Sequence, residues 1–116
     1  MSFKLKQWGS EWLDFIAGLG CDGAEAKLKT WMEKLADEGP FLRRHVRPLG
    51  DGLFELKISH SGMAYRCLYG FHQDAVVIVL CFSKKKQRDQ VAIGEARRRL
   101  KIVKSDNVEP SNAAIH

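Results

Sequence analysis

The sequence predicts an α+β domain in which a small antiparallel β-sheet is flanked by two N-terminal helices and one C-terminal helix. Two changes of hydrophobic period carry this expectation. Apolar residues between positions 12 and 35 recur at helical spacing, those between 53 and 82 alternate or run together as strands do, and helical spacing returns after position 88. At 116 residues and 45% hydrophobic content the chain is the size of one domain and can bury a core. No repeat, low-complexity stretch or linker divides it, so residues 1–104 form a single domain and residues 105–116 a frayed or disordered tail.

Residues 3–8 suit a short edge strand. After Gly9-Ser10, the residues Trp12, Phe15, Ile16 and Leu19 follow a helical repeat, with Ser10 as N-cap and Gly18 and Gly20 as stop signals. In the second helix Asp22 and Glu25 have capping-box spacing, and Leu28, Trp31, Met32 and Leu35 form a core stripe. Gly39-Pro40 ends it. The period then becomes two: Phe54, Leu56 and Ile58 alternate with polar residues, and Tyr65, Cys67, Tyr69 and Phe71 do the same in the next segment. Ser61-Gly62 between them suits a two-residue hairpin turn. Residues 76–82 are continuously apolar, as in a strand buried on both faces. From about residue 88 to 101, Ala92, Ala96, Leu100 and Val103 mark a third helix, with Arg97, Arg98 and Arg99 around its other side.

The net charge of +5 is unevenly spread. Residues 1–42 carry 5 Lys/Arg against 7 Asp/Glu, whereas residues 43–104 carry 14 against 5. A basic half-domain attracts polyanions, of which nucleic acid is the foremost; its plainer role is a solubilising surface. The three cysteines, Cys21, Cys67 and Cys81, cannot all pair within the chain and have no zinc-ligand spacing. No apolar run approaches a membrane span and the first residues lack a signal-peptide core, so a cytoplasmic protein is expected.

The hairpin turn sets a register in which residue 60 faces 63, 58 faces 65 and 57 faces 66. Lys57 then stands opposite Arg66, with Glu55 one pleat away. Two like charges in that position repel, so either Glu55 or an anion from outside relieves them; the alternative is a solvated cluster on an exposed sheet face. Lys84, Lys85, Lys86 and Arg88 follow where the apolar strand leaves the sheet, and Arg43, Arg44, His45 and Arg47 enter it. Three basic segments bordering one face suit a phosphate backbone. Cys67 and Cys81 lie in apolar strands and read as core. His45 and His60 suit either proton transfer or plain turn positions.

Taken in order, these segments resemble the phage-derived RelE/HigB-like toxins. Arg47-Pro48-Leu49-Gly50-Asp51-Gly52-Leu53-Phe54-Glu55-Leu56 is similar to that family's K/R-P-L-x-x-G-L-W/F-E-L. His60-Ser61-Gly62-Met63-Ala64-Tyr65-Arg66-Cys67-Leu68-Tyr69 resembles its H-x-G-x-x-Y-R-x-x-Y, and Phe82-Ser83-Lys84-Lys85 its F-x-K-K. The resemblance runs colinearly over about residues 12–103 and departs where Lys86-Gln87-Arg88-Asp89-Gln90 replaces a T-x-K-T-P stretch.

The resemblance implies the toxin of a toxin–antitoxin pair that cleaves mRNA at the ribosome. Its partner would be a cognate antitoxin, a small helix-turn-helix protein through which alone the toxin reaches promoter DNA. No metal or cofactor is implied, because the RNA 2′-hydroxyl can itself attack the phosphate. Arg66 would hold the scissile phosphate, and Lys84 or Lys85 would stabilise charge or protonate the leaving oxygen. Glu55 or Lys57 would be the base. Arg43, Arg44, Arg47, Lys86 and Arg97 to Arg99 would grip RNA away from the cut. The rival readings are a gyrase-inhibiting ParE-like toxin and a non-catalytic nucleic-acid-binding module.

Overall fold

The computed structural model describes residues 2–84 and 89–113. Strand β1 (Lys4–Gln7) leads into helix α1 (Glu11–Ala17) and helix α2 (Asp22–Glu38). Strands β2 (Val46–Gly50), β3 (Leu53–His60), β4 (Met63–His72) and β5 (Ala75–Lys84) follow, then helix α3 (Gln90–Lys104) and the two-residue β6 (Ser111–Asn112). Among the described residues the sheet order is β2-β3-β4-β5-β1-β6, so the class is α+β as the sequence predicts.

Three features depart from the sequence expectation. The sheet is mixed rather than antiparallel: β1 pairs parallel with β5, Lys4 facing Ala75 and Gln7 facing Ile78. A parallel pair needs a long crossover, and everything from α1 to β4 supplies it. The basic segment before β3 is itself a strand, β2, at the sheet edge where its Pro48 is tolerated. The tail does not simply fray: β6 pairs with β1, Ala113 N–H donates to the Leu5 carbonyl at 3.0 Å, and the Ala113 side chain is buried.

The helix signals are largely kept. Ser10 precedes α1, but its hydroxyl donates to Asp14 at 2.6 Å instead of capping a backbone N–H. Cys21, not Asp22, is the N-cap of α2; Asp22 and Glu25 lie in its first turn, where their charge suits the positive helix end. Asp89 caps α3 by accepting from the N–H groups of Val91 and Ala92 at 3.0 and 3.2 Å. Ile93, rather than Ala92, opens the buried stripe of α3.

Alternation divides the core between the two sheet faces. Trp12, Leu28, Met32 and Leu35 from α1 and α2 pack on Leu56, Ile58, Tyr65, Cys67 and Ile78. Ile93, Ala96, Leu100 and Val103 of α3 pack on Leu53, Leu68, Val77 and Val79 on the opposite face. Gly70 lets α3 approach closely, since a Cβ there would lie 2.5 Å from Leu100 Cδ2. Gln7 ties three elements together from a buried position. Its Oε1 accepts from the N–H groups of Trp12 and Leu13, and its Nε2 donates to the Asn112 carbonyl. Among the described residues no helix is long and apolar enough to cross a membrane.

Candidate nucleic-acid interface and active site

The β3–β4 hairpin has the register its turn dictates. Ser61 and Gly62 both have positive φ, 51° and 79°, the condition for a tight hairpin turn matching strand twist. His60 faces Met63, Ile58 faces Tyr65 and Lys57 faces Arg66. Glu55 faces Arg47 across β2–β3, and Arg66 faces Phe82 across β4–β5. The alternation of the strands therefore places Arg47, Glu55, Lys57, Arg66, Phe82 and Lys84 on one face of the sheet.

The charged cluster on that face is not the solvated one considered from the sequence. Glu55 is 1% exposed, and the Arg66 side chain 4%. Arg66 Nη1 donates to Glu55 Oε2 at 3.0 Å, and Arg47 Nε donates to Glu55 Oε1 at 3.2 Å. The carboxylate lies between two guanidiniums, one buried and one half-exposed, so the repulsion between Lys57 and Arg66 is relieved from within the fold.

Beside this pair opens a cavity of about 230 Å³ lined by His45, Val46, Arg47, Glu55 and Lys57. His45 has φ 65° and its carbonyl accepts from the Lys57 N–H at 2.8 Å, so the backbone turns left-handed as it enters the ladder. Its ring meets Trp31 edge-on, with centroids 4.3 Å apart. Trp31, which spacing alone assigned to the core, is only partly buried and also lies under Lys34 and Arg44, each 5.5 Å from the ring centroid. The cavity thus lies between His45, the exposed Lys57 and Arg47, at the rim of a cationic aromatic surface formed with Trp31. Sequence reasoning marked His45 as a proton-transfer candidate, but its place beside Lys57 comes from the β2–β3 pairing that reasoning lacked.

Other predicted residues are distributed differently. Lys84 faces Ala64 at the end of β5, two residues beyond the partner of Arg66, and its Nζ lies 3.4 Å from Asp89. Lys85, Lys86 and Arg88 lie outside the described residues. Arg43 and Arg44 are exposed. Arg97 donates to the Leu49 carbonyl, and Arg98 makes a two-pronged contact with Glu95 at 2.7 and 2.9 Å. Arg99 turns inward: it binds Glu11 and Glu95, donates to the Val79 carbonyl at 2.8 Å, and lies over Trp8. Val79 is the unpaired residue of a bulge between Leu80 and Ile78, and Arg99 gives its carbonyl a partner.

Charge state follows these contacts. Hydrogen bonds from Arg98 and Arg99 pull the Glu95 carboxyl down to about 2. Asp89 is lowered by the Ala92 N–H first, with Lys84 adding to it. Burial pushes the Cys81 thiol well up, and its cross-strand neighbour Cys67 adds to the effect, which fits the core role expected of both. His60 packs against α2, where a Cβ on Gly23 would come 2.6 Å from its Nε2. Among the described residues no group of three or more His, Cys, Asp or Glu is placed to hold a metal ion.

No curated protein and no solved structure matches the chain. The family described as phage-derived protein Gp49-like (DUF891) matches residues 22–101. That span runs from the start of α2 into α3 and includes the whole β2–β5 sheet with Arg47, Glu55, Lys57, Arg66 and Lys84. It also covers most of the stretch over which the sequence resembles RelE/HigB-like toxins. With more than half of its length in that match, this chain belongs to the Gp49-like family of phage-derived proteins.

Proposed function

We propose that the protein is the toxin of a toxin–antitoxin pair and that it cuts mRNA at the ribosome by metal-independent attack of the RNA 2′-hydroxyl. The observation that carries the reading is the small cavity where His45, Arg47 and Lys57 stand beside Glu55, which is itself paired with the buried Arg66. Family membership and the basic half of the chain support it. In such a cut the 2′-oxygen bonds to phosphorus, the bond from phosphorus to the 5′-oxygen breaks, and a 2′,3′-cyclic phosphate remains. One proton leaves the 2′-hydroxyl and one reaches the 5′-oxygen. Lys57 and Arg47, both accessible, are the groups positioned to meet the phosphate and its developing charge.

The base remains among groups around the same cavity. Both Glu55 oxygens already accept from arginines, which favours Lys57 over Glu55 and brings His45 in beside it, imidazole being the usual proton carrier near neutral pH. Arg66, expected from the sequence to grip the phosphate, is buried against Glu55 and serves in this reading as a positioning residue. Lys84, on the same face, adds positive potential. The antitoxin would be the small helix-turn-helix partner that the resemblance implies.

The test is induction in a host without antitoxin, with growth and mRNA 5′ ends followed beside Lys57→Ala and His45→Ala. Growth arrest with new ends inside translated codons, reduced about 100-fold or more by either substitution in a folded protein, is expected. Arrest without new ends would favour a gyrase-directed toxin. Absence of both would leave a nucleic-acid-binding module.

A further inference from the structure

A second cavity lies away from this site, at the opposite end of the β2–β3 hairpin. It has a volume of about 680 Å³ and is walled by α3, with Arg97, Arg98, Lys101 and Lys104 around the edge of the buried Leu100, and by Asp51 of the hairpin turn. Arg97, Lys101 and Lys104 follow one another at i, i+4 and i+7 on a single helix face, over about 10 Å of helix. The turn is shaped to admit them. Gly52 has φ 79°, and a Cβ there would lie 2.8 Å from Lys104 Nζ; a Cβ on Gly50, with φ 95°, would lie 3.4 Å from Arg97 Nη2.

The charges in this cleft are not balanced internally. Arg98 is paired with Glu95. Asp51 is 88% exposed and stands 3.7 Å from Arg97 Nε, a loose surface contact that an incoming anion can replace at little cost. Lys101 and Lys104 have no carboxylate partner among the described residues. A concave surface with a row of spaced cations and one displaceable carboxylate matches a chain of anions better than a single one.

We infer that the cleft between α3 and the β2–β3 turn is a second binding site that takes a phosphodiester backbone, separate from the His45–Lys57 cavity. Asp51 lies four positions after Arg47, just past the end of β2, about 13 Å along the chain, so one nucleic-acid strand can reach both. The placement of the two sites on one strand rests on the function proposed above; the cleft's affinity for phosphodiesters does not.

The full chain is titrated with a short fluorescent 2′-O-methyl oligoribonucleotide, which has no attacking hydroxyl, over a range of salt concentrations. The probe makes the result independent of whether the protein cleaves RNA. A folded Lys101→Gln/Lys104→Gln variant is expected to bind about 10-fold more weakly, with a plot of log affinity against log salt that is flatter by roughly one unit. Single-stranded DNA of the same sequence competes if the backbone alone is read; selective competition by RNA would add sugar contacts to the same assignment. Unchanged affinity and salt slope in the variant would overturn the inference and leave the two lysines as complements to the C-terminal helix dipole. Equal displacement by polyglutamate would also overturn it, since the cleft would then take carboxylates as well as phosphates.

Discussion

Glu55 and Arg66 meet diagonally across β3 and β4, Oε2 to Nη1 at 3.0 Å, with both side chains almost wholly withdrawn from water. A buried pair of this kind adds little net stability, because its attraction is spent against desolvation, yet losing one partner strands the other. Arg66→Met leaves the buried Glu55 with the half-exposed Arg47 alone, so it is expected to destabilise the fold by about 3 kcal/mol, the lower end for a broken buried pair. Adding Glu55→Gln should recover much of that loss. Urea denaturation of the two single variants and the double variant checks it, and additive losses would contradict the coupling.

The contact between Gly70 and Leu100 is a second pressure point. A methyl group at residue 70 would enter the space of the Leu100 side chain, so Gly70→Ala should cost about 1–3 kcal/mol through overpacking. Leu100→Ala leaves a cavity on its own. Combined with Gly70→Ala, it should cost less than the sum of the two changes, as measured by thermal or urea unfolding.

Glu95 makes part of the stability dependent on pH. Its carboxyl is lowered from 4.5 to about 2, first by Arg98 and then by Arg99. A group whose folded pKa lies below its unfolded value stabilises the fold above the unfolded value and loses that contribution as pH falls through the folded one. Stability is thus expected to fall between about pH 4.5 and about pH 2. A series of melting curves over that window should show a shallower decline for Glu95→Gln than for the unaltered protein.

The thiols should differ in reactivity. Cys67 and Cys81 are buried and face each other across β4–β5, while Cys21 is partly exposed at the start of α2. Thiolate is the reactive form, and burial disfavours it at Cys81. A thiol reagent at neutral pH should label Cys21 in the native protein and reach the other two only on unfolding. Rapid native labelling at Cys67 or Cys81, located by mass spectrometry, would show that the β4–β5 core opens readily.

How much of this was legible in the sequence depended on how local each determinant is. The turn chemistry of Ser61-Gly62 involves adjacent residues, and it was enough to set the whole β3–β4 register, including Lys57 opposite Arg66. Helical spacing likewise marked α1, α2 and α3 from residues a few positions apart. The edge strand β2 escaped notice because Arg47 and Pro48 break its apolar alternation, and with it went the pairing that brings His45 beside Lys57.

The sequence by itself determined the α+β order, the central hairpin register and the basic half of the chain, since each follows from neighbouring side chains or from simple counting. Only the tertiary structure decided that β1 runs parallel to β5, that residues 111–112 close the edge beyond it, and that Glu55 and Arg66 are buried. It also decided which helix arginines face inward: Arg99 is drawn to Glu11 and the Val79 bulge, while Arg97 stands at the cleft with Lys101 and Lys104. Burial and charge pairing depend on groups brought together from distant parts of the chain, and no local pattern encodes those distances.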